Sequence, residues 1–212
     1  MPKILEKKER RLGEKLFLKG DRCTGAKCAM VRRAYAPGVH GPKKGGKGRG
    51  ARSASEFGAL QREKQKLRFF YGLDDGEVKR YVSHAAGHPG LFETEFIRLI
   101  ERRLDIVVRR LGLAPSGRAA RQAVNHGHIT VNGRMVRTPS YAVRTGDTIG
   151  IKESSSRAPG FTGLSERLAG VQVPGWLTLD AARRTGIVNG MPDYDRLSSV
   201  FDAIKVKEFY SR

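Results

Sequence analysis

Residues 118–126 bring together several side chains that can hydrogen-bond phosphates and nucleobases. These are Arg118, Arg121, Gln122, Asn125 and His126, and His128 follows two residues later. Guanidinium and amide groups are donors that contact phosphate oxygens and base edges in nucleic acids. The set contains no nucleophile paired with a base, so its residue types indicate binding and not catalysis.

A helix followed by a hairpin must position these side chains. Ser116 begins the predicted helix, and Gly127 ends it because glycine adopts the left-handed conformation at little cost. Asn132-Gly133 stands between two short apolar strands and is the favoured pair for a two-residue hairpin turn, since both positions need positive φ. The sequence therefore predicts a small helix–hairpin module that presents basic groups, Arg134 among them.

A long helix is predicted to precede this module. Phe96, Ile100, Leu104, Val107 and Leu111 recur at helical spacing, which predicts one continuous helix over residues 91–111. Core packing explains this apolar stripe completely. We therefore expect the helix to be a scaffold.

The chain carries a large surplus of positive charge. It has 41 Lys and Arg against 21 Asp and Glu, a formal net charge of +20, and residues 1–52 alone contribute +12. Like charges repel one another in a compact fold, so the surplus indicates a polyanionic partner, most commonly nucleic acid. A membrane partner is not expected, because no apolar run approaches the roughly 20 residues that span a bilayer. Two cysteines are too few for a disulfide framework, which favours a reducing cytoplasm.

The segment from residue 37 to residue 55 is rich in glycine and basic residues. It has too few large apolar side chains to fold alone. One interpretation is a solvated linker; the other, which the overall charge favours, is a tract that becomes ordered along an RNA backbone. Its candidate contacts are Lys43, Lys44, Lys47, Arg49 and Arg52.

A further helix is predicted over residues 55–72, capped by Ser55 and ended by Gly72. Along it, Arg62 and Lys66, and likewise Lys64 and Arg68, are like-charge pairs four residues apart, which weaken an isolated helix. Phosphates that neutralise these charges would make the crowding tolerable. The helix is therefore a second candidate RNA-binding element.

Eight motifs carry a resemblance that covers nearly all of the chain. They are LKGDRC, KCAMVRRAYAPGVHG, LQREKQKLRFFYGL, LIERRLDIVVRRLG, ARQAVNHGHITVNG, PSYAVRTGDTI, GWLTLD and EFYSR. In this order and spacing they resemble the bacterial-type small-subunit ribosomal protein S-four family. The resemblance implies a mainly helical α+β fold, in which a discontinuous helical domain contains an inserted α-L RNA-binding module of two helices and a small β-sheet. The implied division is a basic extension over 1–54, a helical domain over 55–101 with 165–212, and the module over 102–164.

The same resemblance implies a function. It indicates a structural, non-enzymatic constituent of the small ribosomal subunit in the cytoplasm that binds 16S rRNA directly, nucleates assembly of the subunit body and contributes to translational accuracy. The implied partners are 16S rRNA and neighbouring ribosomal proteins, especially protein S-five, and no cofactor is expected. The predicted rRNA contacts are Lys43, Lys44, Lys47, Arg49, Arg52, Arg62, Lys64, Lys66, Arg68, Arg118, Arg121, Gln122, His126, His128, Asn132 and Arg134.

The chain departs from the family pattern at two places. Many members carry a zinc site of four cysteines, but here Cys23 and Cys28 match only half of it, and Glu6 and Glu9 stand at the spacing of the other half. Structural zinc prefers nitrogen and sulfur ligands, so we expect no metal and two small buried thiols. The module's second helix often opens Ser-Arg in the family, whereas here Gly117 follows the serine and Arg118 is expected to take over the phosphate contact.

Three other functions would account for parts of the sequence. A pseudouridine synthase carries a similar module and a catalytic Asp in an Arg-Leu-Asp context, which Asp105 fits superficially, although an ion pair with Arg109 would also explain it. Residues 41–47 spell G-x4-G-K, but Gly48 stands where a phosphate-binding loop needs Ser or Thr, and no strand precedes it. A free RNA chaperone is the third possibility.

Overall fold

The computed structural model describes residues 3–38, 55–192 and 200–211. In these ranges the chain forms nine α-helices and five β-strands. The helices are α1 Lys3–Leu12, α2 Ala29–Arg32, α3 Glu56–Tyr71, α4 Asp75–Ala86, α5 Phe92–Glu101, α6 Leu104–Arg110, α7 Gly117–Asn125, α8 Leu164–Ala169 and α9 Ala203–Ser211. The strands are β1 Ile129–Val131, β2 Arg134–Met135, β3 Thr148–Ile151, β4 Leu177–Asp180 and β5 Thr185–Val188. The predicted class, mainly helical α+β, is confirmed.

The chain divides into two compact units. The first consists of Met1–Val82 with Ser198–Arg212, and the second of Ser83–Leu197. The family resemblance implies that residues 165–212 complete the helical domain. In the structure β4 and β5 extend the sheet of the module, and the second unit runs to Leu197.

In the first unit, local signals set the ends of α3 and the start of α4. The Ser55 hydroxyl accepts a hydrogen bond from the Gly58 amide at 3.2 Å, and Gly72 ends α3 with φ of +68°. Asp74 and Glu77 each accept a hydrogen bond from the other's backbone amide, which is a capping box at the start of α4. The predicted caps of α3 are therefore confirmed.

The C-terminal helix α9 packs against α3. The rings of Phe57 and Phe209 have their centroids 5.6 Å apart, and Phe201 meets Tyr71 edge to face at 6.0 Å. Such aromatic pairs add to the free energy gained by burial. These ring contacts hold α9 against α3.

In the second unit, one antiparallel sheet has the strand order β2-β1-β3-β5-β4. The β1–β2 turn has positive φ at both central residues, +51° at Asn132 and +77° at Gly133, as predicted. Gly186 pairs with Ile149 in the sheet, and a Cβ at Gly186 would collide with the side chain of Leu111. The absence of a side chain there lets the α6 end pack on β5.

The core of this unit lies between α6, α7, α8 and the sheet. Leu104, Val107, Ala120 and Val124 are fully buried in it. Trp176, the only tryptophan of the chain, is 7% exposed and packs in the same cluster. Burial of this apolar area supplies the main driving force for folding of the unit.

The prediction of one continuous helix over residues 91–111 is wrong, because the helix is interrupted between α5 and α6. Arg103 is extended there, with φ of −66° and ψ of 138°. The amides of Leu104 and Asp105 donate to the carbonyls of Tyr141 and Pro139 at 2.9 and 3.1 Å. A distant segment therefore takes the hydrogen bonds that a helix would have used.

Of the helices that the structure describes, none is both long and apolar enough to cross a membrane.

Candidate nucleic-acid interface

Helix α7 is held by a cap at one end and a glycine at the other. The Ser116 hydroxyl accepts a hydrogen bond from the Ala119 amide at 3.3 Å, and Gly127 follows the helix with φ of +72°. A Cβ at Gly127 would come within 2.8 Å of the Met135 sulfur, so the helix end and the hairpin meet closely. These signals are the ones predicted from the sequence, and they fix the helix against the hairpin.

The polar side chains of α7 lie on its outer face. Arg118, Gln122, Asn125 and His126 are exposed, and Arg121 is half-buried. Ala120 and Val124 point the other way and are fully buried. Since residues three and four apart lie together on a helix, the exposed groups form one continuous stripe that can face a ligand.

The hairpin adds exposed cations, and the Asn132 side chain makes hydrogen bonds within the module. Its amide nitrogen donates to Asp147 at 2.8 Å, and its amide oxygen accepts from the Thr148 backbone at 2.8 Å. Arg134 is exposed, as are Arg137 and Arg144, which the prediction did not include. Their position in loops of the module was the available signal for them.

His128 is half-buried and held in place. Its Nδ1 lies 2.9 Å from the Ser155 hydroxyl, and its ring meets Phe161 edge to face at 6.0 Å. Its backbone amide donates to Ala123 at 3.0 Å. The orientation of the imidazole is therefore set by the fold before any ligand arrives.

In the first unit, two of the predicted contacts on α3 are buried. The Lys64 ammonium lies 3.0 Å from Asp75, and Lys66 lies 2.7 Å from Glu14 and 2.8 Å from Glu63. Burial alone would lower the pKa of Lys66, but its hydrogen bonds to the two glutamates outweigh this and raise the pKa. Carboxylates of the protein therefore pair with both ammonium groups, and contacts of Lys64 and Lys66 with rRNA stay a prediction.

The other two predicted contacts on α3 are more accessible. Arg62 is exposed, and Arg68 is half-buried with its guanidinium 3.6 Å from Asp75. The predicted contacts Lys43, Lys44, Lys47, Arg49 and Arg52 lie outside the described residues, as does the G-x4-G-K sequence.

Cys23 and Cys28 are free and buried, 2% and 3% exposed. Burial raises the pKa of the Cys23 thiol. Glu6 forms an ion pair with Lys19 at 2.7 Å. Glu9 accepts hydrogen bonds from the backbone amides of the residues seven and nine positions later, at 3.1 and 3.2 Å. Over the described ranges, no three His, Cys, Asp or Glu side chains are grouped so that they could hold a metal ion.

Asp105, the candidate catalytic residue of the enzyme alternative, is 2% exposed. Both of its oxygens accept hydrogen bonds at 3.0 Å from Arg103, whereas the spacing predicted a pair with Arg109. A nucleophile needs access to its substrate, and this carboxylate is enclosed and occupied.

Two family models match consecutive parts of this chain. The family model "S4 domain" matches residues 102–149, which include α6, α7 and the β1–β2 hairpin. The family model "Ribosomal protein S4/S9 N-terminal domain" matches residues 5–101. The fold and these matches define a ribosomal protein that carries an S4-type RNA-binding domain.

Full-length relatives make the assignment more specific. Small ribosomal subunit protein uS4 of Desulforamulus reducens is 44% identical over 203 residues, which are 96% of this chain and 94% of the relative. The uS4 proteins of Acetivibrio thermocellus and Thermus thermophilus are 44% and 45% identical over the same shares. The chain belongs to the uS4 family of small ribosomal subunit proteins.

Proposed function

We propose that this chain is a structural, non-catalytic component of the small ribosomal subunit and binds 16S rRNA directly. The observation that carries the proposal is the arrangement of α7, which buries Ala120 and Val124 and turns Arg118, Gln122 and His126 outward. The names of the relatives, small ribosomal subunit protein uS4, support a ribosomal role, and the proposed location is the cytoplasmic ribosome.

The mechanism is neutralisation of many phosphates across a folded RNA. A net charge of +20 provides the attraction, and the fixed stripe on α7 provides the orientation. Phosphate contacts position a protein without reading sequence, and the deep major groove of an RNA duplex does not admit side chains. The chain therefore recognises the shape of its RNA, with Arg62, Arg118, Arg121 and Arg134 as phosphate contacts.

The family resemblance extends the proposal to assembly. A protein that binds bare 16S rRNA would fix the fold of that RNA early, and so nucleate the subunit body. The remaining parts of the proposal are a contact with protein S-five and an influence on translational accuracy. They rest on family membership, which the uS4 relatives support.

An enzymatic role is not part of the proposal. The burial of Asp105 and its two hydrogen bonds to Arg103 speak against a catalytic Asp at this position. Incubating the pure protein with rRNA and mapping pseudouridine should reveal no new modified site.

Selective binding tests the proposal. At moderate salt, the full chain should bind naked 16S rRNA more tightly than a piece of 23S rRNA of similar length. It should also co-sediment with small subunits. Equal affinity for both RNAs would indicate a general RNA chaperone, and would contradict a role as a specific structural component.

A further inference from the structure

A groove of about 210 Å³ lies beside the exposed stripe of α7. One wall is the α7 side that carries Ala119, Gln122 and Ala123, and the other wall is the turn Pro159–Phe161. The side chain of His128 also lines it. We call this space the helix groove.

The size and lining of the helix groove suit one flat ring system. Pockets for drug-sized ligands occupy about 300–1,000 Å³, so this one is small. Ala119 and Ala123 give a surface without bulky side chains, and Phe161 contributes an aromatic ring that is itself buried. Gln122 is exposed at the edge, where its amide offers both a donor and an acceptor.

His128 supplies a ring that is already oriented. Its Nδ1 is 2.9 Å from the hydroxyl of Ser155, which is buried, and its ring packs on the edge of Phe161. The backbone of His128 is tied on both sides, to the carbonyl of Ala123 and to the amide of Lys152. A side chain fixed in this way loses little entropy when a ligand packs against it.

Positive charge lies next to the helix groove. Arg118 is exposed, and it stands four residues before Gln122, so the two side chains are neighbours on the helix surface. A phosphate held by Arg118 would therefore lie near the groove edge at Gln122, and the base of the same or a neighbouring nucleotide would be close to the groove.

We propose that the helix groove receives one unpaired nucleobase of the bound RNA. The base packs against His128 and Phe161, and the Gln122 amide hydrogen-bonds its edge, as aromatic rings and amides do with splayed-out bases. The inference rests on the proposed function, and it adds one base-level contact to the recognition of RNA shape.

Two pairs of variants separate this contact from general RNA binding. Gly160→Leu places a side chain at the groove's lining, where a Cβ meets no atom within 4 Å and φ lies outside the left-handed region. Gly25→Leu is its control, with the same open surroundings in the other unit. Gln122→Ala removes the edge partner, and Gln172→Ala removes an exposed amide of the same unit that does not line the groove.

The measurement is the dissociation constant of the full chain for a 16S rRNA fragment, with abasic nucleotides placed in turn at its unpaired positions. One abasic position should weaken wild-type binding about 5- to 140-fold, the effect of losing one stacked base. Gly160→Leu should weaken binding to the intact RNA, and the same abasic position should then have no further effect. Such coupling identifies a shared contact. The two control variants should bind as the wild type does.

Three results would overturn the inference. No base enters the groove if Gly160→Leu and Gln122→Ala bind RNA as tightly as the wild type. The same conclusion holds if their losses in affinity simply add to the loss at every abasic position. In both cases the proposed function would stand. If Gly160→Leu keeps its affinity for RNA but is not incorporated into subunits, the groove receives a protein segment instead. If the wild type fails to bind 16S rRNA, the proposed function fails and the inference fails with it.

Discussion

Arg103 binds Asp105 through two hydrogen bonds of 3.0 Å, and both side chains are almost completely buried. The pair lies where α5 ends and α6 begins, and the amide of Asp105 is also bound, to Pro139. A buried pair of this kind fixes the backbone geometry of the junction between the two helices. It gives Asp105 a structural role.

Replacing Asp105 with Asn should destabilise the fold strongly. The guanidinium of Arg103 would lose the charged group that accepts two of its hydrogen bonds, and breaking a buried pair typically costs about 3–5 kcal/mol. Urea unfolding measures the change, with Asp180→Asn as a control because Asp180 is partly exposed and its pair with Arg183 is 3.7 Å long. A loss below about 1 kcal/mol, the value expected for a surface pair, would contradict the structural role.

Arg118→Ala should weaken binding to 16S rRNA by about 1–3 kcal/mol, the range for a hydrogen bond to a charged group. The slope of log affinity against log salt should also become shallower by about 1, because one phosphate contact is lost. Arg183→Ala is the matched control, since it removes the same charge from a side chain that is 83% exposed on the β4–β5 turn. Equal losses in the two variants would mean that net charge alone governs affinity.

Lys66 and Arg62 should separate stability from binding. Lys66→Met removes the ammonium that Glu63 and Glu14 share, so the free energy of unfolding should fall by about 1–3 kcal/mol while the folded fraction binds rRNA normally. Arg62 lies one turn earlier and is exposed, so Arg62→Met should weaken rRNA binding and leave the free energy of unfolding nearly unchanged. Unfolding curves and filter binding on both variants check this. Weaker rRNA binding by folded Lys66→Met would restore Lys66 as an RNA contact.

The stabilising contact between Asp75 of α4 and Tyr210 of α9 should weaken at low pH. Burial would raise the pKa of Asp75, but hydrogen bonds from Lys64 and Tyr210 outweigh it and hold the pKa below its usual value of 3.8. A carboxylate with a depressed folded-state pKa stabilises the fold above its unfolded-state pKa, and this contribution is lost as pH falls through the folded-state value.

The stability difference between the wild type and Asp75→Asn should therefore be full near neutral pH and should shrink below about pH 3.8. Unfolding in urea at a series of pH values measures it. Glu208→Gln, on the exposed side of α9, should show no such dependence. A difference that stays constant down to pH 2 would show that Asp75 does not act through its charge.

The sequence predicted those features that depend on neighbouring residues. The cap at Ser116, the end at Gly127 and the turn at Asn132-Gly133 are set within a few positions, so their residue types were enough. The class of fold and the module were therefore accessible from the sequence.

The features that the sequence did not predict depend on distant partners. The break before Leu104 needs the carbonyl of Tyr141, and the addition of β5 to the sheet needs Gly186 to pass beneath Leu111. Lys64 is neutralised by Asp75, a partner that helix periodicity does not identify. The helix groove likewise exists only because Phe161 is brought next to α7.

The dependence of rRNA affinity on salt tests the central claim most directly, because neutralised phosphates release counterions. If the chain engages about eight phosphates, the slope of log affinity against log salt for 16S rRNA should be about −6 to −7. A slope shallower than about −2 would imply few ion pairs, and would contradict the claim that the surplus positive charge exists to bind RNA.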